Sequence, residues 1–211
     1  MNRKGILIVV SGFSGAGKGT LMKQLVRTYD NYALSVSMTT RLPRDGEVDG
    51  VSYFFKNKEQ FEQTIDQDGF IEYACYCGNY YGTPKAYVEE QLEAGKDVIL
   101  EIEIQGALKV KEKYPDSLLL FVTPPNAGEL ERRLVGRGTE TREVMKERLA
   151  RAYEESEGIE AYDYIVVNDK LDDCVEEINC LVEAARKVPV RRTAFIQEIR
   201  KELKAYSKGA Q

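Results

Sequence analysis

The feature that most constrains the fold is a glycine-rich run between a predicted strand and a predicted helix. Residues 6–10 are apolar and mostly β-branched, which is typical of one buried strand. The run at 12–20 reads GFSGAGKGT, and residues 21–26 have helix-type apolar spacing. Strand, glycine-rich turn and helix in this order predict a phosphate-binding loop, whose backbone N–H groups and helix N-terminus hold phosphate oxygens. Lys18 would reach the terminal phosphates of a nucleoside triphosphate.

Composition excludes several kinds of chemistry. The 211 residues include no histidine, so His–Ser or His–Cys nucleophile pairs and imidazole metal sites are ruled out. The net charge of −5 argues against a general nucleic-acid surface. We see no secretion signal and no apolar run long enough to cross a membrane. The four cysteines lack zinc-site spacing, which predicts reduced thiols in a cytoplasmic protein.

Strands alternate with helices along most of the chain. Predicted strands start near residues 6, 33, 97, 118 and 164, which indicates an α/β fold with about five parallel strands and helices on both faces. Ligands of such sheets bind at the carboxyl ends of the strands. We predict a single domain with the following parts: a core at 1–34, 85–125 and 159–187, an inserted β-rich subdomain at 35–84, a helical lid at 126–158 and a basic C-terminal helix at 188–211.

Within the inserted subdomain, the pattern predicts a strand over 70–76 followed by a hairpin-like turn at 78–82. Thr83 and Pro84 have the order of an N-cap and a proline at the first helical position. We therefore expect Thr83 to cap a helix that continues to Glu93.

A polar loop in the same subdomain carries two arginines three residues apart, Arg41 and Arg44. Arginine suits a planar, bidentate grip on phosphate. Together with Tyr53 and Tyr81, these side chains are candidates for holding a second, smaller anion. A solvated charge cluster is the alternative that the loop alone leaves open.

A third group of arginines flanks a glycine-containing break between two predicted helices. Arg133, Arg137 and Arg148 in this arrangement suit a mobile lid that closes over a transferring phosphate. Phosphoryl transfer depends mainly on positioning and on neutralisation of charge, so arginines and Mg²⁺ suffice. A phosphate acceptor is already ionised at neutral pH, so the absence of histidine is no obstacle.

At this point the chain resembles a known family. The string Ser37–Glu47, with Gly50 and Tyr53–Phe55, is similar to the signature of guanylate kinases. Further matches follow in family order and extend the resemblance over about residues 5–187. These further matches are Phe70–Glu72, Gly78–Thr83, Gln105–Gly106, Pro124–Pro125 and Arg137–Glu140.

The resemblance implies the reaction ATP + GMP ⇌ ADP + GDP, a step of guanine nucleotide recycling, with Mg²⁺ as cofactor. The catalytic residues that it implies are Lys18, Arg44, Arg137 and Arg148. The implied ATP-binding residues are Gly12, Ser14, Gly15, Ala16, Gly17, Lys18, Gly19, Thr20, Asn168 and Asp169. The implied GMP-binding residues are Ser37, Arg41, Arg44, Tyr53, Glu72, Tyr81, Thr83, Glu101 and Glu103.

The residue types at Glu72, Glu101, Glu103 and Gly19 make the expected roles in guanine recognition and Mg²⁺ binding more specific. A carboxylate at Glu72 can accept from both N1–H and the 2-amino group of guanine, a donor pair that adenine lacks. Glu101 and Glu103 stand where many family members carry aspartate, so the carboxylates are kept with a longer reach. Gly19 replaces the hydroxyl residue that usually contacts Mg²⁺, and Gly19–Thr20 is similar to the loop of adenylate kinases. We therefore expect phosphates and water to hold most of the Mg²⁺, and we assign no protein ligand.

Two alternatives stay open. One is another nucleoside monophosphate kinase, which the Gly-Lys-Gly-Thr sequence of the loop suggests. The other is a non-catalytic module, because guanylate-kinase-like domains of scaffold proteins bind phosphopeptides. The expected partners are ATP and GMP, without nucleic acid or membrane, and the sequence does not choose between a monomer and a homo-oligomer.

Overall fold

A five-stranded parallel sheet forms the centre of the computed structural model, which describes residues 4–76, 78–135 and 142–207. Its strands, in spatial order, are β2 (Tyr32–Leu34), β7 (Asp97–Glu101), β1 (Leu7–Gly12), β8 (Leu118–Thr123) and β9 (Tyr164–Val167). The central strand β1 pairs Val9 with Leu100 on one side and with Leu119 on the other. The predicted five parallel strands are confirmed.

Helices cover both faces of this sheet, as predicted. The helices are α1 (Lys18–Thr28), α2 (Lys58–Asp66), α3 (Lys85–Glu93), α4 (Ile104–Lys113), α5 (Ala127–Val135), α6 (Arg142–Ser156), α7 (Leu171–Ala185) and α8 (Thr193–Ser207), with short 3₁₀ helices at Ile159–Ala161 and Pro189–Arg192. Ile8 of β1 is buried with α1 and α7, whereas its neighbour Val9 is buried with α3 and α4. Alternate residues of one strand thus enter different cores, so the strand sequence is apolar throughout.

A second, four-stranded sheet interrupts this pattern. Its strands are β3 (Met38–Thr39), β4 (Phe54–Phe55), β5 (Phe70–Tyr76) and β6 (Asn79–Pro84), in the spatial order β4-β3-β6-β5. The antiparallel pairing of β5 with β6 confirms the predicted hairpin, but the bounds 78–82 predicted for its turn are wrong, because Asn79 already pairs with Tyr76 and residues 79–82 belong to strand β6. Two tyrosines in that stretch favour a pleated surface over a turn.

The predicted N-cap at Thr83 is also wrong. Thr83 belongs to β6, and the cap position of α3 is Pro84, which makes no side-chain cap hydrogen bond. The Thr83 hydroxyl instead donates to Glu72 across the sheet at 2.8 Å. The Thr83 hydroxyl therefore donates to a carboxylate on the neighbouring strand and not to a backbone group of the helix, as the local sequence had indicated.

A buried carboxylate joins several elements at the amino end of the central sheet. Asp97 accepts hydrogen bonds from Ile6 N (2.8 Å), Asn31 Nδ2 (3.0 Å) and Arg186 Nη2 (2.5 Å). Because Arg186 follows α7, this cluster fixes the end of the core on the side away from the glycine-rich loop.

The basic C-terminal helix is present as α8, with Phe195, Ile199 and Leu203 exposed along one stripe. No helix within the described ranges is long and apolar enough to cross a membrane. The division into core, inserted subdomain and lid stays a prediction.

Candidate active site

The glycine-rich loop connects β1 to α1 and has room only for glycine at two of its positions. At Gly12, with φ 148°, a Cβ atom would lie 2.0 Å from the carbonyl oxygen of Val122. At Gly17, with φ 88°, it would lie 2.6 Å from Nδ2 of Asn168. Gly17 is the N-cap of α1 and no side chain caps this helix. The first N–H groups of α1 therefore face the loop, as in an anion-binding helix N-terminus.

The side chain of Lys18 folds back onto the glycine-rich loop, and its positive charge acts on Glu101 of the neighbouring strand β7. Its Nζ donates to the carbonyls of Gly12 (2.6 Å) and Phe13 (3.1 Å). Partial desolvation in the cleft raises the pKa of Glu101, and the positive charges of Lys18 and Lys23 oppose this shift. A cation and a carboxylate thus share the carboxyl ends of β1 and β7, where a triphosphate and its metal would meet.

Asn168 and Arg133 brace the loop from its other side. Asn168 is 7% exposed, and its Nδ2 donates to the carbonyl of Ala16 at 2.8 Å. Arg133 donates to the Asn168 carbonyl (2.9 Å) and to the Ala16 carbonyl (3.4 Å). Its Nε also donates to Glu129 at 2.6 Å, and the neighbouring Arg132 and Arg133 lower the pKa of Glu129 to about 2. The Asn168 amide therefore supports the loop, and the adenine contact predicted for Asn168 and Asp169 stays a prediction.

A cavity of about 540 Å³ opens where β1 and β7 end. Its lining contains eight residues that the sequence analysis selected: Gly12, Ser14, Lys18, Ser37, Tyr53, Glu101, Glu103 and Arg148. It also contains Arg151 and Glu155, which the sequence analysis missed. The glycine-rich loop, Ser37, Tyr53 and Arg148 thus face one space.

Helix α6 brings three of these side chains into the cavity from the predicted lid. Arg148 Nη1 donates to Ser14 Oγ at 3.2 Å, and Arg151 donates to Glu103 (2.9 Å) and to Glu155 (3.1 Å). Desolvation raises the pKa of Glu155, which Arg151 opposes. The spacing of residues 148, 151 and 155 puts them on one helix face, a signal that could have identified the two missed residues.

The second arginine group is assembled around an ion pair. Arg41 donates from Nη1 and Nη2 to Glu47 at 3.0 and 2.8 Å, and its guanidinium lies 5.4 Å from the ring centre of Tyr53. The ring of Tyr81 lies 6.2 Å from that of Tyr53. Arg44 is exposed, and its backbone N–H donates to Glu47 at 2.7 Å. The structure therefore brings Arg41, Tyr53 and Tyr81 together, although Arg41, Arg44 and Tyr81 are outside the cavity lining.

Glu72 and Thr83 form a second polar pair on neighbouring strands. Beyond its hydrogen bond from Thr83, the Glu72 carboxylate lies against α4, where a Cβ atom at Gly106 would come within 3.3 Å of Oε2. Desolvation raises the pKa of Glu72, and the hydrogen bond from Thr83 opposes the shift. Both residues lie outside the lining of the large cavity. A partly desolvated carboxylate with capacity for further donors is what a base-reading position requires.

Two further expectations concern Arg137 and the binding of Mg²⁺. Arg137 lies outside the described residues. For Mg²⁺, a Cβ atom at Gly19 would be 3.9 Å from both carboxylate oxygens of Glu101, while Thr20 is exposed one residue later. Within the described ranges, no group of three or more Cys, Asp or Glu side chains has the geometry of a metal site. A single oxygen-donor residue beside the loop fits a cation that phosphates and water hold for the most part.

A parallel sheet with a glycine-rich phosphate loop, a lysine at the helix start and arginines from a neighbouring helix defines a P-loop phosphotransferase. Comparison with known proteins narrows this class. The family model described as guanylate kinase matches residues 4–185. The chain therefore belongs to the guanylate kinase family.

Individual relatives agree with this assignment. A guanylate kinase of Halalkalibacterium halodurans is 53% identical over 86% of this chain and 89% of its own length. One from Streptococcus pneumoniae is 52% identical over 94% of this chain and 96% of its own length. The crystal structure of guanylate kinase from Anaplasma phagocytophilum superposes with a TM-score of 0.72 at 31% identity, covering 89% of both chains.

Proposed function

We propose that this chain transfers the γ-phosphate of ATP to GMP, giving ADP and GDP, which is the reaction of its family. The observation that carries the proposal is the shared cavity: the phosphate loop with Lys18, the carboxylates Glu101 and Glu103, and Arg148 all line it. Donor and acceptor phosphates can therefore meet in one space. Binding two phosphate-bearing ligands in line is the main requirement of phosphoryl transfer.

On the donor side, the N–H groups at the start of α1 and Lys18 would bind the β- and γ-phosphates of ATP. Lys18 is held by loop carbonyls, so it exchanges hydrogen bonds with neutral oxygens for stronger ones with phosphate. Arg148 already reaches Ser14 on the loop and would neutralise charge that develops on the transferring group. Arg137 is proposed for the same role from the family resemblance alone.

On the acceptor side, Arg41, Arg44, Tyr53 and Tyr81 would bind the GMP phosphate. The preformed contact of Arg41 with Glu47 and the Tyr53 ring fixes the guanidinium plane, so less rotamer entropy is lost on binding.

The guanine edge would be read by a separate set of polar groups: Ser37, Glu72, Thr83, Glu101 and Glu103. The Thr83 hydroxyl supports selectivity because it donates to one oxygen of Glu72 and keeps that carboxylate oriented.

Kinases generally use ATP together with Mg²⁺, and we propose the same here. Glu101, beside Gly19, is the described side chain best placed to bind the ion, directly or through water, with Thr20 as a second oxygen. When bound, the ion neutralises phosphate charge and aligns the phosphates.

The two alternatives are less well supported. A non-catalytic binding module does not require both Lys18 and Arg148 in the lining of one cavity. A different nucleoside monophosphate kinase does not require the Glu72–Thr83 pair. We also propose a cytoplasmic location, and the proposal covers both a monomer and a homo-oligomer.

The test is direct detection of products. Purified protein is incubated with ATP, GMP and Mg²⁺, and nucleotides are separated by chromatography at several times. The expected result is GDP and ADP in equal amounts, with loss of the activity on chelation of Mg²⁺ or in Lys18→Met. ADP without GDP would contradict the proposal, because it would indicate hydrolysis of ATP by water.

A further inference from the structure

Helix α6 makes polar contacts with two different segments that line the cavity. Arg148 donates to Ser14 of the phosphate loop at 3.2 Å. Three residues later, Arg151 donates to Glu103 at 2.9 Å, on the segment that leads from β7 into α4. Residues three apart lie on the same face of a helix, so a single rigid element contacts both the donor loop and an acceptor-side carboxylate.

Arg151 also separates two carboxylates. Its Nη2 binds Glu103 and its Nε binds Glu155 at 3.1 Å. Desolvation is the main cause that raises the pKa of Glu155; the guanidinium of Arg151 opposes this shift, and the negative charge of Glu103 adds to it. The side chain of Glu103 is 64% exposed, so the 2.9 Å ion pair with Arg151 is its contact with helix α6 in this structure. Arg151 therefore joins the Glu103 carboxylate to helix α6.

We propose that Arg151 is a positioning residue that couples the donor loop to the acceptor site by holding Glu103 on helix α6. The inference rests on the proposed function, because it takes Glu103 as a GMP-side group and Ser14 as part of the ATP site. When ATP is bound, its phosphates fix the position of α6 through Arg148. Arg151, on the same helix, then holds the Glu103 carboxylate in the position in which it contacts GMP. Donor and acceptor then bind with positive cooperativity, and the coupling is reciprocal.

The pair is open to solvent, so it contributes little to folding: Arg151 is 39% exposed and Glu103 is 64% exposed. Variants of either residue are therefore expected to fold, which a thermal melt checks. A merely structural role would change the melt and leave the coupling between ligands unaltered. The two roles are thus separable by experiment.

The experiment is calorimetric titration of GMP into the protein, with and without a saturating non-hydrolysable ATP analogue and Mg²⁺. In the wild type, the analogue is expected to tighten GMP binding by about 5-fold or more, within the usual range of allosteric coupling. Arg151→Met should reduce this factor to about 1 while the analogue alone binds as in the wild type. Glu103→Gln should lose the same factor, and the double variant should lose no more. Arg151→Lys should retain part of it.

Lys146→Met is the matched control, because Lys146 is an exposed cation on the same helix. It should keep the full factor. An unchanged factor in Arg151→Met, or no coupling in the wild type, would overturn the inference. Both results are distinct from failure of the proposed function, which the product assay detects separately as the absence of GDP formation by the wild-type protein.

Discussion

Replacing Glu72 by glutamine is expected to separate selectivity from stability. The carboxylate would accept hydrogen bonds from N1–H and the 2-amino group of guanine, whereas the amide would turn an NH₂ group toward one of these donors. Hydrogen bonds to charged groups contribute about 1.5–3 kcal/mol each. Loss of one such bond corresponds to a decrease of roughly 10- to 10²-fold in kcat/KM for GMP.

The same substitution is expected to stabilise the free protein. Desolvation raises the pKa of Glu72, so its ionised form is less favourable in the folded chain than in the unfolded one. For a carboxyl group with a raised pKa, the folded state binds more protons than the unfolded state. Stability therefore falls as pH rises from the ordinary glutamate value of 4.5 through the raised pKa. Glutamine keeps an acceptor for Thr83 and has no ionised form, so its Tm advantage should grow over this range.

The assays are steady-state kinetics with GMP and thermal unfolding between pH 4 and pH 8. Glu59→Gln, on the exposed first turn of α2, is the control and should leave both measurements unchanged. Wild-type affinity for GMP should also weaken as pH falls through the raised pKa, since the protonated carboxyl group accepts less well. A Glu72→Gln variant with normal kcat/KM for GMP would refute the role of this residue.

Three further predictions concern other parts of the chain. Arg148→Ala should lower kcat by about 10²- to 10³-fold with an unchanged melt, as measured by ADP release, and near-normal turnover would contradict its role at the transferring phosphate. Asp97→Ala leaves Arg186 without its buried partner and should cost about 3–5 kcal/mol in chemical denaturation; exposed Asp66→Ala is the control, and equal stabilities would contradict the account of the buried cluster. Gly17→Ala should weaken ATP binding, because Cβ meets Asn168 and the left-handed backbone is strained, and unchanged affinity in a titration would contradict this.

The sequence predicted those parts of the fold that depend on local patterns. Residues 6–10 and 118–122 are apolar throughout because both faces of the central sheet are covered, and this pattern identifies buried strands without further information. Backbone geometry requires glycine at Gly12 and Gly17, so the spacing of these glycines identified the loop between β1 and α1 from the sequence, while its role as a phosphate site stays a prediction.

Contacts between distant residues could not be predicted in this way. Arg151 and Glu103 are 48 positions apart, and nothing local to either one indicates its partner. Thr83 was assigned to the following helix because a cap is a local interaction, but its hydroxyl binds Glu72 on the adjacent strand. The proposed acceptor site depends on such cross-strand pairs, so its geometry could be described only once the three-dimensional structure was known.

The most direct test of the account is the rate of ADP release with four acceptors: GMP, AMP, CMP and UMP. The assignment to GMP predicts a kcat/KM for GMP that exceeds the value for each of the others by about 10³-fold or more, because AMP, CMP and UMP lack the pair of donors, N1–H and the 2-amino group, that Glu72 would accept from. Comparable rates with AMP and GMP would contradict the central claim, since they would mean that the Glu72–Thr83 pair does not read the base.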